Sequence, residues 1–356
     1  MHTTLIGVQH LRAAAALMVV FHHVIGRAQG IYDYSVSFNT TWGAAGVDVF
    51  FVISGFIMIY ITRGKDVRPL DFFIRRVIRI VPLYWIFTII AAALINSYSF
   101  YFSGKGGWEP FIQSMLFIPG DVRRNELYAT PTIPVGWTLN LEMMFYLLLS
   151  ISLIWRRNYV FVASAALAVI FCLSFGLYYN EPRPGFGLYA FNNGVILEFL
   201  LGILLAYSLA QTDEIPPAVG LALTVVGVAL LLFLWPIAGA QFRLFTAGLP
   251  AILIVGGFII SEPLWRRWAP WTLLGDASYA IYLTHLFAII PISRTGSIYR
   301  DALLPWVPFW IWVALLMAIS TALGVIVHLW IEKPLTRMIQ RWWAPSTKAR
   351  WAMEAR

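Results

Sequence analysis

The sequence predicts an all-α, polytopic membrane protein with about ten transmembrane helices and both termini cytoplasmic. Three observations predict it. Of the 356 residues, 60% are hydrophobic and 12% are charged, against about 45–50% and about 25% in soluble globular chains. Mean hydropathy is +0.75. Long uncharged runs recur along the whole chain, and a bilayer demands roughly 17–25 apolar residues per crossing. A large soluble helical core would need polar outer faces, which these runs lack.

The net charge of +8 would suggest nucleic acid in a soluble protein. Here the positive residues collect in loops, so the expected partner is the lipid bilayer and not nucleic acid. A single cysteine, Cys172, excludes a disulfide or a cysteine-based metal site within one chain. It lies in a hydrophobic run and is expected to pack there.

In chain order the spans fall roughly at 10–28, 42–62, 80–97, 135–155, 158–179, 191–210, 216–235, 244–262, 275–292 and 306–331. The first lacks a following small-x-small cleavage site, so it is a retained helix and not a signal peptide. The loop "TRGKDVRPLDFFIRRVIR" (62–79) carries six positive and two negative residues. "WRRN" (155–158), "WRRW" (265–268) and the tail after Ile331 are also basic. All four fall on one side if the spans alternate, and the positive-inside rule makes that side cytoplasmic. The largest loop on the other side, roughly 98–134, is rich in Tyr, Trp, Phe, Gly and Pro. Such a composition suits a carbohydrate ligand, and equally an interfacial aromatic belt.

Ionisable groups inside spans mark function by default, because burying them in hydrocarbon is costly. They are Arg12, His22, His23, Asp48, Glu142, Glu198, His285 and His328. In the first span, "LRAAAALMVVFHHV", Arg12 and His23 are eleven residues apart. Eleven steps of 100° return to the same face, with an axial separation of about 16 Å. His22 points about 80° away. Asp48 in "WGAAGVDVFFVISGF" and Glu142 in "GWTLNLEMMFY" sit at a depth comparable to His23. A histidine oriented by such a carboxylate is suited to act as a general base.

"FFIRRVIRIVPLYW" places Arg76 and Arg79 one turn apart beside Arg75. Guanidinium forks suit phosphate oxygens. In "GDASYAIYLTHLF", Ser278, Tyr282 and His285 follow at i, i+4 and i+7 and form one polar stripe, flanked by Tyr279. "IEKP" closes the tenth span, where Glu332 either pairs with an arginine of the basic loop or caps the helix.

Those segments, with "ILEFLLGILLAY", occur in an order that resembles acyltransferase family 3, in particular bacterial exopolysaccharide O-acetyltransferases. The resemblance covers nearly the whole chain. It implies a ten-helix acyltransferase domain, here residues 1–335, followed by a short basic cytoplasmic tail (336–356). It also implies transfer of an acyl group from cytoplasmic acetyl-CoA to a sugar hydroxyl at the outer face of the bacterial inner membrane. The acceptor is then a lipid-linked or polymeric saccharide, and no metal is required. The family's first-helix histidine falls on His23, its Arg-x-x-Arg pair on Arg76 and Arg79, its glutamate on Glu142 and its aspartate on Asp48. The chain ends soon after the tenth span, so the membrane domain is expected to complete the transfer alone.

On this reading, Arg76, Arg79 and Arg12 hold the phosphates. The pantetheine arm passes Ser278, Tyr279, Tyr282 and His285, and His23 activates the acceptor with Glu142 or Asp48 orienting it. Direct transfer and an acetyl-histidine intermediate both remain open. The non-enzymatic alternative is a transporter or flippase of a lipid-linked saccharide.

Overall fold

The computed structural model describes residues 5–34, 36, 40–97, 107–120, 131–178, 194–212, 214–238, 242–303 and 305–354. The described part is helical, without strands. Six stretches are long and apolar enough to cross a membrane: 6–32, 41–62, 69–95, 134–175, 217–237 and 309–343. A seventh is the bent pair Ala269–Asp276 and Ser278–Ile298, and two shorter apolar helices are Ile196–Leu209 and Leu244–Ile260. The chain is therefore a multi-pass membrane protein. Of the loop expected to meet carbohydrate, 98–106 and 121–130 lie outside the described residues.

The helices that build the site are α1 (Ile6–Tyr32), α2 (Gly46–Thr62), α3 (Pro69–Ser97), α4 (Trp108–Met115), α5 (Trp137–Ser152), α6 (Tyr159–Tyr178) and α7 (Ile196–Leu209). They continue as α8 (Pro217–Ala238), α9 (Leu249–Ile260), α10 (Ala269–Asp276), α11 (Ser278–Ile298), α12 (Arg300–Leu303), α13 (Phe309–Val327) and α14 (Lys333–Glu354). α5 and α6 belong to one apolar stretch of 42 residues. Arg156, at a left-handed φ of 41°, breaks it, and the two halves pack against each other. α7 begins at Ile196, two residues after Gly194, which holds φ 77°. Its 14 residues rise only about 21 Å.

The main core is formed by α2, α3, α5, α7 and α11. Phe199 stacks between Phe51 and Phe145, with ring centroids 4.6 and 4.4 Å away. α2 and α7 cross through Gly55 and Gly202; a Cβ at either glycine would lie 2.2 Å from a carbonyl oxygen of the other helix. Such small-residue crossings provide close van der Waals packing, where lipid removes the hydrophobic drive between helices. Large apolar side chains on peripheral helices point outward, including Phe161 (75% exposed) and Phe233 (67%). In hydrocarbon this is the ordinary outer face. Cys172 is also exposed, on α6, and does not pack inside as the sequence suggested.

α1 is surrounded by α2, α10, α11 and α13. α10 and α11 meet at a 74° bend. The bend is brought tight against α1 at Gly275, where a Cβ would stand 2.3 Å from the Gln9 carbonyl oxygen. This contact sets the first residue of α11 opposite Arg12.

Candidate functional site

Arg12 and His23 both turn towards α11. Arg12 donates from Nη2 to Ser278 Oγ at 2.9 Å. Farther along the same pair of helices, His23 Nδ1 lies 3.3 Å from His285 Nε2, with ring centroids 4.9 Å apart.

The hydrogen bonds fix both tautomers. His285 Nδ1 lies 2.6 Å from the Tyr282 carbonyl oxygen, and His23 Nδ1 lies 3.0 Å from that of Val19. Carbonyls only accept, so each Nδ1 carries the proton. Nε2 of a neutral His285 is then free to accept a share of the His23 Nδ1–H. What remains on His23 is Nε2 with an unshared lone pair, the atom a general base needs. The same two acceptors stay bonded to Nδ1 when Nε2 takes up a proton.

Among the described residues neither Asp48 nor Glu142 is bonded to His23. Asp48 makes a two-pronged ion pair with Arg243, which donates from Nε to Oδ1 and from Nη2 to Oδ2, each at 2.7 Å. The guanidinium lies about 6 Å from the rings of Trp137 and Trp235. Glu198 is buried beside the pair. Glu142 Oε1 accepts from Ser54 Oγ at 3.2 Å and from the Tyr146 hydroxyl. Thus His23, Asp48 and Glu142, expected at one depth, separate into three groups because each carboxylate meets a nearer donor. His22 faces the backbone at Gly43, and its Nδ1 has no partner among the described residues.

Two cavities adjoin at the arginine end of α1. The inner one, about 290 Å³, is lined by Arg12, Arg76, Arg79, Glu142, Ser278, Tyr279 and Tyr282, among apolar residues of α1, α2, α3 and α5. The second, about 670 Å³, is lined by Arg12, Arg75, Arg76 and Arg79 together with residues of α10 and α14. Arg12, Arg76 and Arg79 therefore stand where the two meet. Arg76 Nε is buried without a partner among the described residues. An unmatched guanidinium N–H at the junction fits an anionic group.

The inner cavity does not reach the histidines. Tyr282 lines it, and its hydroxyl is fixed by Thr138 Oγ1 (2.7 Å) and the Val135 carbonyl (3.0 Å). The Tyr282 ring lies 6.1 Å from both Phe50 and His285. Tyr279 donates to the Ile80 carbonyl at 2.8 Å, which ties α11 to the helix bearing the arginines. Glu332 pairs with His328 at 2.7 Å. Among the described residues no three His, Cys, Asp or Glu side chains are grouped as metal ligands.

Sequence reasoning missed Arg243, Tyr146 and Thr138. Arg243 had a usable signal: an aspartate in an apolar run demands a counter-ion, and Arg243 immediately precedes the eighth apolar run.

A family model described as an acyltransferase domain matches residues 5–329. The chain is 34% identical over 312 residues to the exopolysaccharide production protein ExoZ of Rhizobium meliloti, covering 83% of this chain and 90% of that protein. It is 25% identical to the acyltransferase MdmB of Streptomyces mycarofaciens, with 93% and 91% covered. The O-acetyltransferase OatA of Staphylococcus aureus is 24% identical over 93% of this chain, which spans 57% of OatA. No solved structure matches.

Proposed function

This chain belongs to acyltransferase family 3, and on that premise we propose that it moves an acetyl group from cytoplasmic acetyl-CoA to a sugar hydroxyl of an exopolysaccharide. The acceptor is a lipid-linked or polymeric saccharide at the outer face of the bacterial inner membrane. The names of two relatives, one for exopolysaccharide production and one for O-acetyl transfer, support the substrate class. Ten crossings with both termini cytoplasmic complete the reading. They put the arginine end inside, because the basic loops share that side.

The observation that carries the proposal is the passage formed by the two cavities. It is cationic where they join and mostly apolar inward, and it ends at Tyr282, whose carbonyl holds His285 against His23. Acetyl-CoA supplies an acyl group activated as a thioester. Arg76 and Arg79, with Arg12 held by Ser278, bind its phosphates. Tyr279 and Tyr282 wall the arm, and Glu142 keeps Tyr146 and Ser54 in place along the same cavity. Tyr282 and Phe50 must shift for the acyl group to meet His23. His23 Nε2 takes the proton of the acceptor hydroxyl as that oxygen attacks the acyl carbon, and returns a proton to the departing thiolate. His285 is a positioning residue, and Asp48 secures Arg243.

The test is acyl transfer by the purified protein, read by mass spectrometry of the saccharide, together with calorimetric binding of CoA. Arg76→Ala and Arg79→Ala are each expected to weaken CoA binding by about 10-fold, since a hydrogen bond to a charged group contributes about 1.5–3 kcal/mol. Unchanged affinity in both would reduce these arginines to topology signals.

A further inference from the structure

The chain beyond the last apolar helix is a wall of the larger cavity. α13 runs into α14 through a π-helical turn, His328–Glu332. Such wide turns inside helices recur at functional sites. Here His328 and Glu332, bonded to each other, both line the cavity. From α14 the lining residues are Lys333, Thr336, Arg337, Gln340 and Trp343. Their spacing of i, i+3, i+4, i+7 and i+10 is one continuous helical face. The other face carries Met338 and Trp342, and Trp342 is 81% exposed. α14 packs against α3, the helix that supplies Arg75, Arg76 and Arg79 from the opposite wall.

The charge balance of this cavity is one-sided. Six cations (Arg12, Arg75, Arg76, Arg79, Lys333 and Arg337) face two carboxylates, Asp276 and Glu332. The volume of about 670 Å³ is in the range of small-molecule sites. It holds what a phosphorylated nucleotide needs: cations on two sides and a flat aromatic ring at one end.

We propose that α14 is the second half of the nucleotide-binding site, with Lys333 and Arg337 on phosphate oxygens opposite the α3 arginines and Trp343 against the adenine ring. This rests on the acyl-CoA reading above and adds to it. The basic segment after the last span becomes a ligand-binding helix, and the donor's diphosphate and 3′-phosphate are gripped from both walls. Arginine forks suit phosphate oxygens, and base–aromatic stacking is tolerant of geometry.

The experiment is calorimetric titration of CoA, and separately of pantetheine, into the purified full-length protein. Arg337→Glu is expected to weaken CoA binding about 10-fold or more, equivalent to about 1.4 kcal/mol. Trp343→Ala is expected to weaken it about 5-fold or more, by loss of stacking. Trp342→Glu places a negative charge on the outward face, about 140° round the helix from Arg337, and is expected to leave affinity within about twofold, because an exposed charge turned to solvent is screened. Pantetheine lacks the phosphates and is expected to bind unaltered protein and Arg337→Glu alike. Thermal unfolding of each variant shows that the fold is kept.

Failure of the unaltered protein to bind CoA overturns the donor assignment, and this inference with it. Tight binding that is unchanged by Arg337→Glu and Trp343→Ala overturns the α14 assignment alone. Equal loss in Arg337→Glu and Trp342→Glu would also overturn it, by exposing a general field in place of a site.

Discussion

Replacing His23 with alanine is expected to reduce acyl transfer by about 10²–10⁴-fold, the usual contribution of a positioned general base. Binding of CoA and the thermal unfolding midpoint should stay close to those of the unaltered protein. The reason is geometric. His23 contributes Nε2, whose lone pair is left free because Nδ1 is committed to Val19 and His285, and no phosphate-binding group is altered. His22→Ala is the control. Its ring lies 5.0 Å from that of His23 but points to a different neighbour, so transfer should fall only a few-fold. Equal losses in the two variants would undo the helical-phase argument. His285→Asn tests the relay: kcat should fall while KM for the donor holds, and the pH–rate profile should move. A profile identical to that of the unaltered enzyme would leave His285 a packing residue.

The second large effect is on stability. Arg243→Ala strands Asp48 and Glu198, both wholly buried, without a cation. Breaking a buried ion pair by removing one partner costs about 3–5 kcal/mol, because the remaining charge has lost its compensation. The variant is expected to unfold at a clearly lower temperature in detergent and to accumulate poorly in membranes. Asp48→Asn with Arg243→Met should recover part of the loss, since the unpaired charge is removed along with its counter-ion. An unfolding midpoint unaffected by Arg243→Ala would show that this pair does not tie α2 to the start of the α9 segment.

Much of the site was legible in the sequence because a helix is periodic. The eleven-residue interval puts Arg12 and His23 on one face, and the polar stripe of α11 is the surface both of them meet. Arg76 and Arg79 were legible as a pair of arginines one turn apart, and they stand at the junction of the two cavities. The placement of the last segment was not legible. A basic run after a span is an ordinary topology signal, and only the turn at His328–Glu332 aims one face of α14 at the arginines of α3.

What the sequence by itself determined is an all-helical multi-pass chain, the helix faces that share polar residues, and the family. What only the tertiary structure decided is which polar group each of those residues bonds. Asp48 could be placed in the second span from sequence, but its partner lies 195 residues away. The glutamate expected beside His23 is taken by Ser54 and Tyr146, and a second histidine occupies that place. Periodicity is fixed by local backbone geometry, about 100° per residue. A buried polar group must instead be satisfied by whatever donor or acceptor the neighbouring helix brings within about 3 Å, and helix neighbours are chosen by packing across the whole bundle.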